Sequence, residues 1–170
     1  MVVIGGDDVS YGSKPKDAPN WRTKMLRENQ VDLSRVHFLG KVPYATYKKV
    51  LQISAVHLYL TYPFVLSWSL LEAMASGCLI VASDTAPVRE VIRDEKNGFL
   101  VDFFKPDEIA SRVLSGLGNS GGGKRLREAA YIAAQSYSTE YGTRHYVHTV
   151  LENIRVCTLV EMADGELAVY

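Results

Sequence analysis

Short, continuous apolar runs alternate along this chain with longer segments in which apolar residues recur at helical spacing. The apolar runs predict five strands, at 2–4, 36–40, 56–60, 79–82 and 98–101. The segments with helical spacing predict helices at 21–29, with Asn20 as N-cap, and at 43–54, 67–76, 87–93, 106–117, 124–134 and 139–154. Helices placed between buried strands are typical of a parallel sheet that is covered on both faces. We therefore expect an α/β fold, a Rossmann-like doubly wound sheet.

Chain length and charge narrow the class of protein. The 170 residues suit one domain, which we place at 1–155, and the remaining 156–170 form a C-terminal tail without a clear period. Nineteen basic residues balance nineteen acidic ones. Because the chain has no net charge to attract a polyanion, we expect no nucleic-acid partner.

The cysteines and the hydropathy of the sequence indicate in which cellular compartment the protein is expected. Cys78 and Cys157 lie far apart and match no metal-ligand spacing, so we expect reduced thiols in a cytoplasmic protein. No apolar stretch approaches the ~20 residues of a membrane span. Attachment of a longer protein to the inner face of a membrane is compatible with both observations.

The helix predicted at 67–76 offers the strongest candidate site. In an open parallel sheet, ligands bind beyond the carboxyl ends of the strands, and a helix that begins there favours an anion such as a diphosphate. Glu72, one turn inside, could accept hydrogen bonds from the hydroxyls of a ribose. Alternatively, Ser69 and Glu72 have the S-x-x-E spacing of a capping box, which the spacing alone favours.

Several segments in order resemble one family. The stretch YPFVLSWSLLEAMASG at 62–77, with LIVASD at 79–84 and VRE at 88–90, is similar to the C-terminal domain of GT-B glycosyltransferases of retaining family 4. VHFLG at 36–40 and NGFLV at 97–101 match that family's flanking blocks, and the similarity covers 2–117. Such a set of motifs is more specific than any single one.

The resemblance assigns the candidate donor-binding residues. In the family's E-x7-E motif the second glutamate binds the ribose and matches Glu72, whereas the first, which holds the donor sugar, falls at Phe64. The usual Gly-Phe-Gly is Val65-Leu66-Ser67, so Leu66 keeps only a backbone donor. Either this subfamily grips the sugar differently, which we favour, with Phe64 and Trp68 as apolar contacts, or the domain is inactive. A third alternative makes both aromatic rings part of the core.

Further donor contacts follow from the same resemblance. The N–H groups around Ser67, Trp68 and Ser69 would stabilise the leaving diphosphate. Gly40, Lys41 and Val42 would lie against the nucleotide base, although Lys41 could equally be a solvated surface charge. Thr85 could reach a phosphate, but turn chemistry is its commoner role.

The resemblance implies transfer of a sugar from a UDP- or GDP-linked donor to a glycan, lipid or polysaccharide acceptor. The alternative is an inactive nucleotide-binding or interaction module of the same fold. No cofactor or metal is expected; His145 and His148 have a metal-site spacing without a third ligand nearby in sequence.

In the family, an N-terminal domain binds the acceptor. The chain resembles the C-terminal domain from its second strand onward. We therefore expect an exposed strand edge, self-association and little activity from this segment alone.

Overall fold

The computed structural model describes residues 1–9, 12–62, 64–118 and 121–164, with the side chains of 121 and 155–164 left out of the description. The chain divides into two compact units, Met1–Val50 and Leu51–Tyr170. Within the described residues, no helix is both long and apolar enough to cross a membrane. The bounds 1–155 and 156–170 stay predictions.

The first unit is built around a two-stranded parallel sheet. It comprises β1 (Val2–Ile4), α1 (Trp21–Glu28), β2 (His37–Gly40) and the first part of α2 (Tyr44–Ile53). Asn20 caps α1 as predicted, since its side chain accepts a hydrogen bond of 2.7 Å from the N–H of Thr23.

The second unit contains a three-stranded parallel sheet in the order β3-β4-β5. Its strands are β3 (Val56–Tyr59), β4 (Leu79–Ser83) and β5 (Phe99–Val101), and its helices are α3 (Trp68–Ala75), α4 (Ala86–Arg89), α5 (Pro106–Leu117), α6 (Gly121–Gln135) and α7 (Thr139–Asp164). The predicted α/β fold with parallel pairing is confirmed.

The core of the second unit lies around β4, whose five residues are all buried. A continuous apolar strand of this kind needs cover on both faces. Contacts from α3, α5 and α6 provide it. In α3, Leu70, Leu71, Ala73 and Met74 are buried, so this helix is fixed along most of its length.

The end of α3 is set by a glycine. Gly77 adopts a φ of +78°, its N–H donates to the carbonyl of Met74 at 3.0 Å, and the N–H of Cys78 donates to that of Ala73 at 3.1 Å. These two bonds form a Schellman motif, which requires a left-handed residue that glycine adopts without steric cost. The chain thus turns directly from α3 into β4, and the buried thiol of Cys78 donates to the carbonyl of Leu51.

Gly116 lies where α5 packs closely on the sheet. A Cβ atom there would stand 2.6 Å from Cδ2 of Leu79, which is fully buried, and 3.2 Å from Cγ2 of Val56. We expect Gly116→Ala to lower the free energy of unfolding by about 1–3 kcal/mol in urea denaturation, because the core is overpacked. The control Gly122→Ala, in α6, has nothing within 4 Å. It should gain up to about 1 kcal/mol from helix propensity, and equal stabilities of the two variants would contradict the close packing.

Three predicted elements differ from the observed ones by more than one residue at an end. Helix α6 begins at Gly121 and not at 124, so three glycines of the expected linker are helical, while 119 and 120 lie outside the described residues. Helix α4 is shorter than predicted. Helix α7 continues to Asp164, through part of the tail to which the sequence pattern assigned no structure.

Candidate functional site

The candidate site of the second unit lies at the carboxyl ends of its three strands. The described residues 60–62 and 64–67 lie between β3 and α3, Asp84 and Thr85 follow β4, and 102–105 follow β5. Because the strands are parallel and adjacent, these loops emerge at the same edge of the sheet. Adjacent strands lie ~4.8 Å apart, so one small ligand could contact more than one loop.

Ser67 is the N-cap of α3. Its hydroxyl accepts a hydrogen bond of 3.3 Å from the N–H of Ser69, and its own N–H donates to the hydroxyl of Tyr59 at 3.0 Å. The hydroxyl of Ser69 donates to that of Ser67 at 3.1 Å. The buried Tyr59, at the end of β3, therefore ties the start of the helix to the sheet.

The capping box favoured by the spacing of Ser69 and Glu72 is wrong. In a capping box the glutamate is three residues after the N-cap and accepts the N–H of the cap residue. The N-cap is Ser67, so that position belongs to Leu70, and the Ser67 N–H is bonded to Tyr59. Glu72 instead lies in the second turn of α3, half-buried.

The Tyr59 hydroxyl provides a test of how α3 is anchored. We expect Tyr59→Phe to lower the free energy of unfolding by about 1–3 kcal/mol, because the part-buried N–H of Ser67 loses its acceptor. Thermal or urea denaturation measures the change. Tyr137→Phe, at a half-exposed tyrosine, should stay within about 0.5 kcal/mol of the parent protein. A Tyr59 variant no less stable than this control would show that the hydrogen bond does not anchor the helix.

Phe64 and Trp68 are not core residues. Their exposed fractions are 49% and 73%. The third alternative considered for them is therefore wrong, and both rings are accessible to a ligand beside the start of α3. Leu66, between them, is half-buried.

The loop after β4 is held by polar contacts on both sides. The buried hydroxyl of Ser83 accepts the N–H of Thr61 at 2.8 Å, which joins this loop to the one after β3. Arg89 binds Asp84 in a bidentate manner, with Nη2 2.7 Å from Oδ2. Hydrogen bonding from this guanidinium holds the pKa of Asp84 below its usual range.

Thr85 begins α4 without capping it through its side chain. Among the described residues, its hydroxyl oxygen is buried and has no hydrogen-bond partner. A buried polar atom of this kind is uncommon in a folded protein. The turn role considered for Thr85 thus does not occupy its hydroxyl, and its contact with a phosphate stays a prediction.

A cavity of about 530 Å³ opens beside Thr85. Tyr62, Phe103 and Phe104 line it together with Asp102, Lys105 and Glu108. Tyr62 lies in the stretch 62–77 that the sequence motif singled out, whereas the other five residues were not predicted as site candidates. Two adjacent phenylalanines directly after the last strand were the available signal, but only the fold brings them to Tyr62, about forty residues earlier.

The residues predicted to contact the base belong to the first unit. The carbonyl of Gly40 accepts the N–H of Gly5 at 2.9 Å, and Lys41 pairs with Asp8 at 3.3 Å, both side chains being largely exposed. Val42 is half-buried. Lys41 therefore has the solvated surface character that was one of its two alternatives, and its contact with a base stays a prediction.

Each histidine of the pair on α7 contacts another side chain of the same helix. His148 is 3.4 Å from Glu152, and His145 stacks on Tyr141. Across the described residues, no group of three or more histidine, cysteine, aspartate or glutamate side chains could hold a metal ion.

Comparison with known proteins defines the class. The family model "Glycosyl transferases group 1" matches residues 2–134, which is most of the chain. This protein belongs to that glycosyltransferase family. An uncharacterized glycosyltransferase, MJ1069 of Methanocaldococcus jannaschii, is 32% identical over 122 residues, which make up 71% of this chain. The matched segment spans only 28% of that relative.

Solved structures of GT-B glycosyltransferases share the fold. Anabaena Alr3699/HepE in complex with UDP-glucose is 19% identical with a TM-score of 0.69, covering 89% of this chain and 40% of that one. Sucrose-phosphate synthase (tll1590) from Thermosynechococcus elongatus is 16% identical with a TM-score of 0.66, covering 92% and 38%. The chain is thus similar to less than half of each of these proteins.

Proposed function

We propose that this chain is the donor-binding part of a glycosyltransferase that transfers a sugar from a nucleoside diphosphate to a glycan, lipid or polysaccharide acceptor. The start of α3 carries the proposal, with Ser67 at the cap and Glu72 in the second turn. A helix start at the carboxyl edge of a parallel sheet is suited to a diphosphate. Because the chain belongs to the glycosyl transferases group 1, we infer that the diphosphate bound at this helix start is that of a nucleotide sugar.

In this proposal, each donor contact comes from a separate part of the site. The half-buried carboxylate of Glu72 accepts the ribose hydroxyls, and the backbone around Leu66 and at Trp68 and Ser69 faces the diphosphate. For the base, the resemblance to family 4 assigns Gly40, Lys41 and Val42, which belong to the first unit.

Phe64, in place of the family's first glutamate, gives the donor sugar an apolar surface instead of a carboxylate. Its ring is exposed beside the start of α3. The exposed ring supports the hypothesis that this subfamily binds its donor sugar differently from the rest of the family.

Catalysis would be mainly electrostatic. The aligned peptide dipoles of α3 place partial positive charge where the leaving diphosphate develops negative charge. The proposal therefore assigns this role to the helix start and to no metal ion. Retention of the anomeric configuration follows from the resemblance to family 4.

Calorimetric titration with UDP and GDP tests the donor site. We expect one nucleotide to bind in preference to the other; UDP is the first choice because the related HepE was crystallised with UDP-glucose. A folded sample that binds neither would overturn the nucleotide-binding proposal. Binding by a full-length protein that nevertheless releases no sugar from UDP-glucose, and transfers none, would favour the inactive module.

The partners of this chain would include an acceptor-binding domain of the same protein and further copies of itself. Among the described strands, β3 pairs with β4 alone, and it carries apolar residues without the lysine or proline that commonly protects a sheet edge. We expect association that increases with concentration in sedimentation velocity. A monomer at all concentrations, with normal transfer activity, would contradict both self-association and the low activity of this segment.

A further inference from the structure

The second unit contains an exposed aromatic cluster, formed by Tyr62, Phe103 and Phe104. The ring centroids of Tyr62 and Phe103 are 5.8 Å apart and stacked, and Phe104 meets both edge-on, at 5.0 and 5.1 Å. The exposed fractions are 57%, 37% and 66%. Aromatic residues that serve only the core of a fold are buried. Three large rings exposed together on two loops are instead typical of a binding surface.

The charged residues that line the cavity beside this cluster already have partners of opposite charge. Asp84 is neutralised by Arg89, and Lys105 lies 3.7 Å from Asp102 and 4.0 Å from Glu108. The three carboxylates of the lining exceed its one lysine, so no positive charge is left for a phosphate. The site is better suited to a neutral ligand.

We propose that this cavity binds one neutral pyranose ring of the acceptor glycan, beside the donor, in addition to the part of the acceptor that the acceptor-binding domain holds. A pyranose has an apolar C–H face, whose slightly positive hydrogens match the negative face of an aromatic ring, and a rim of hydroxyls. Carboxylates accept hydrogen bonds from such hydroxyls. The buried hydroxyl of Thr85 lines the same cavity, and in this proposal it bonds a sugar hydroxyl instead of the phosphate predicted for it, which gives it the partner that the described residues do not supply.

The position of the cavity suits an acceptor. It lies at the ends of β4 and β5, whereas the proposed diphosphate site begins at α3, which follows β3. With β4 next to β3, the two sites are separated by roughly one or two strand spacings of ~4.8 Å. The residue Tyr62, in the loop between β3 and α3, borders the cavity on the side of the donor site. The assignment to an acceptor rests on the proposed function, but pyranose binding itself does not.

Saturation-transfer NMR with methyl α-D-glucopyranoside and maltotriose, on the full 170-residue chain, tests the proposal. We expect transfer to the sugar C–H protons, and a roughly fivefold to tenfold weaker affinity in Tyr62→Ala and in Phe104→Ala, as loss of one stacking contact predicts. The control Tyr146→Ala removes an exposed ring outside the cavity and should bind as the parent does. UDP affinity should be the same in all four proteins.

The outcomes separate this inference from the donor proposal. Pyranose binding without UDP binding would support the pyranose site in the cavity and overturn the proposed donor site. UDP binding without pyranose binding would support the donor site and overturn the pyranose site. Equal binding by the cavity variants and the control would overturn the inference, as would binding of inorganic phosphate in place of the sugars. Competition between UDP-glucose and the methyl glucoside would assign the cavity to the donor's own sugar and overturn the acceptor assignment.

Discussion

Glu72→Gln is expected to weaken UDP or GDP binding about tenfold to hundredfold. In the proposed site this carboxylate accepts hydrogen bonds from the ribose, and a hydrogen bond to a charged group contributes about 1.5–3 kcal/mol. Glutamine keeps the shape but offers a single neutral acceptor. Titration calorimetry gives the affinity, and the loss should be larger still in Glu72→Ala.

The control for this variant is Glu128→Gln on α6, an exposed glutamate that pairs with Lys124. It makes the same change of charge and should bind nucleotide as the parent does. Melting temperatures of both variants show whether folding is affected. A Glu72→Gln protein with parental affinity would remove Glu72 from the ribose site, whatever the remaining donor contacts prove to be.

Leu70→Ala is expected to lower the free energy of unfolding by about 2–5 kcal/mol, through lost burial and the cavity left behind. Leu70 is fully buried in the first turn of α3, the helix whose start is the proposed diphosphate site. Because domains of this size are stable by only about 5–15 kcal/mol, the change is a large part of the total. Urea denaturation measures it.

Leu114→Ala on α5 is the matched control, because the same side chain there is 68% exposed. Its cost should be below about 1 kcal/mol, since little apolar area leaves the core. If the two leucine variants proved equally stable, the packing of α3 against β4 and α6 could not be what holds the helix start in place.

The strands and most helices could be predicted because their signals are local. Each strand of the second unit is a short apolar run, and the buried face of α3 follows from the spacing of its leucines and alanines. The Asn20 cap was predictable for the same reason, as the acceptor and the N–H it receives lie three residues apart. The continuation of α7 was not, because its sequence lacks a clear apolar period.

The candidate site could be predicted only in part. The motif segment 62–77 predicted a loop that leads into a helix, and the structure has α3 there, while the binding roles of its residues stay predictions. Which serine caps that helix was predicted wrongly, because two serines two residues apart, Ser67 and Ser69, both suit an N-cap. The choice depends on Tyr59, whose hydroxyl bonds the N–H of Ser67 across the loop.

By itself, the sequence determined the α/β class, the parallel arrangement and the family, since these rest on apolar periodicity and on motifs contiguous in the chain. Only the tertiary structure decided that Ser67 caps α3, that Phe64 and Trp68 are exposed, and that the aromatic cluster borders a cavity with Thr85. Each of these depends on how the loops and helices at the carboxyl edge of the sheet pack in three dimensions, which the apolar periodicity along the chain does not specify.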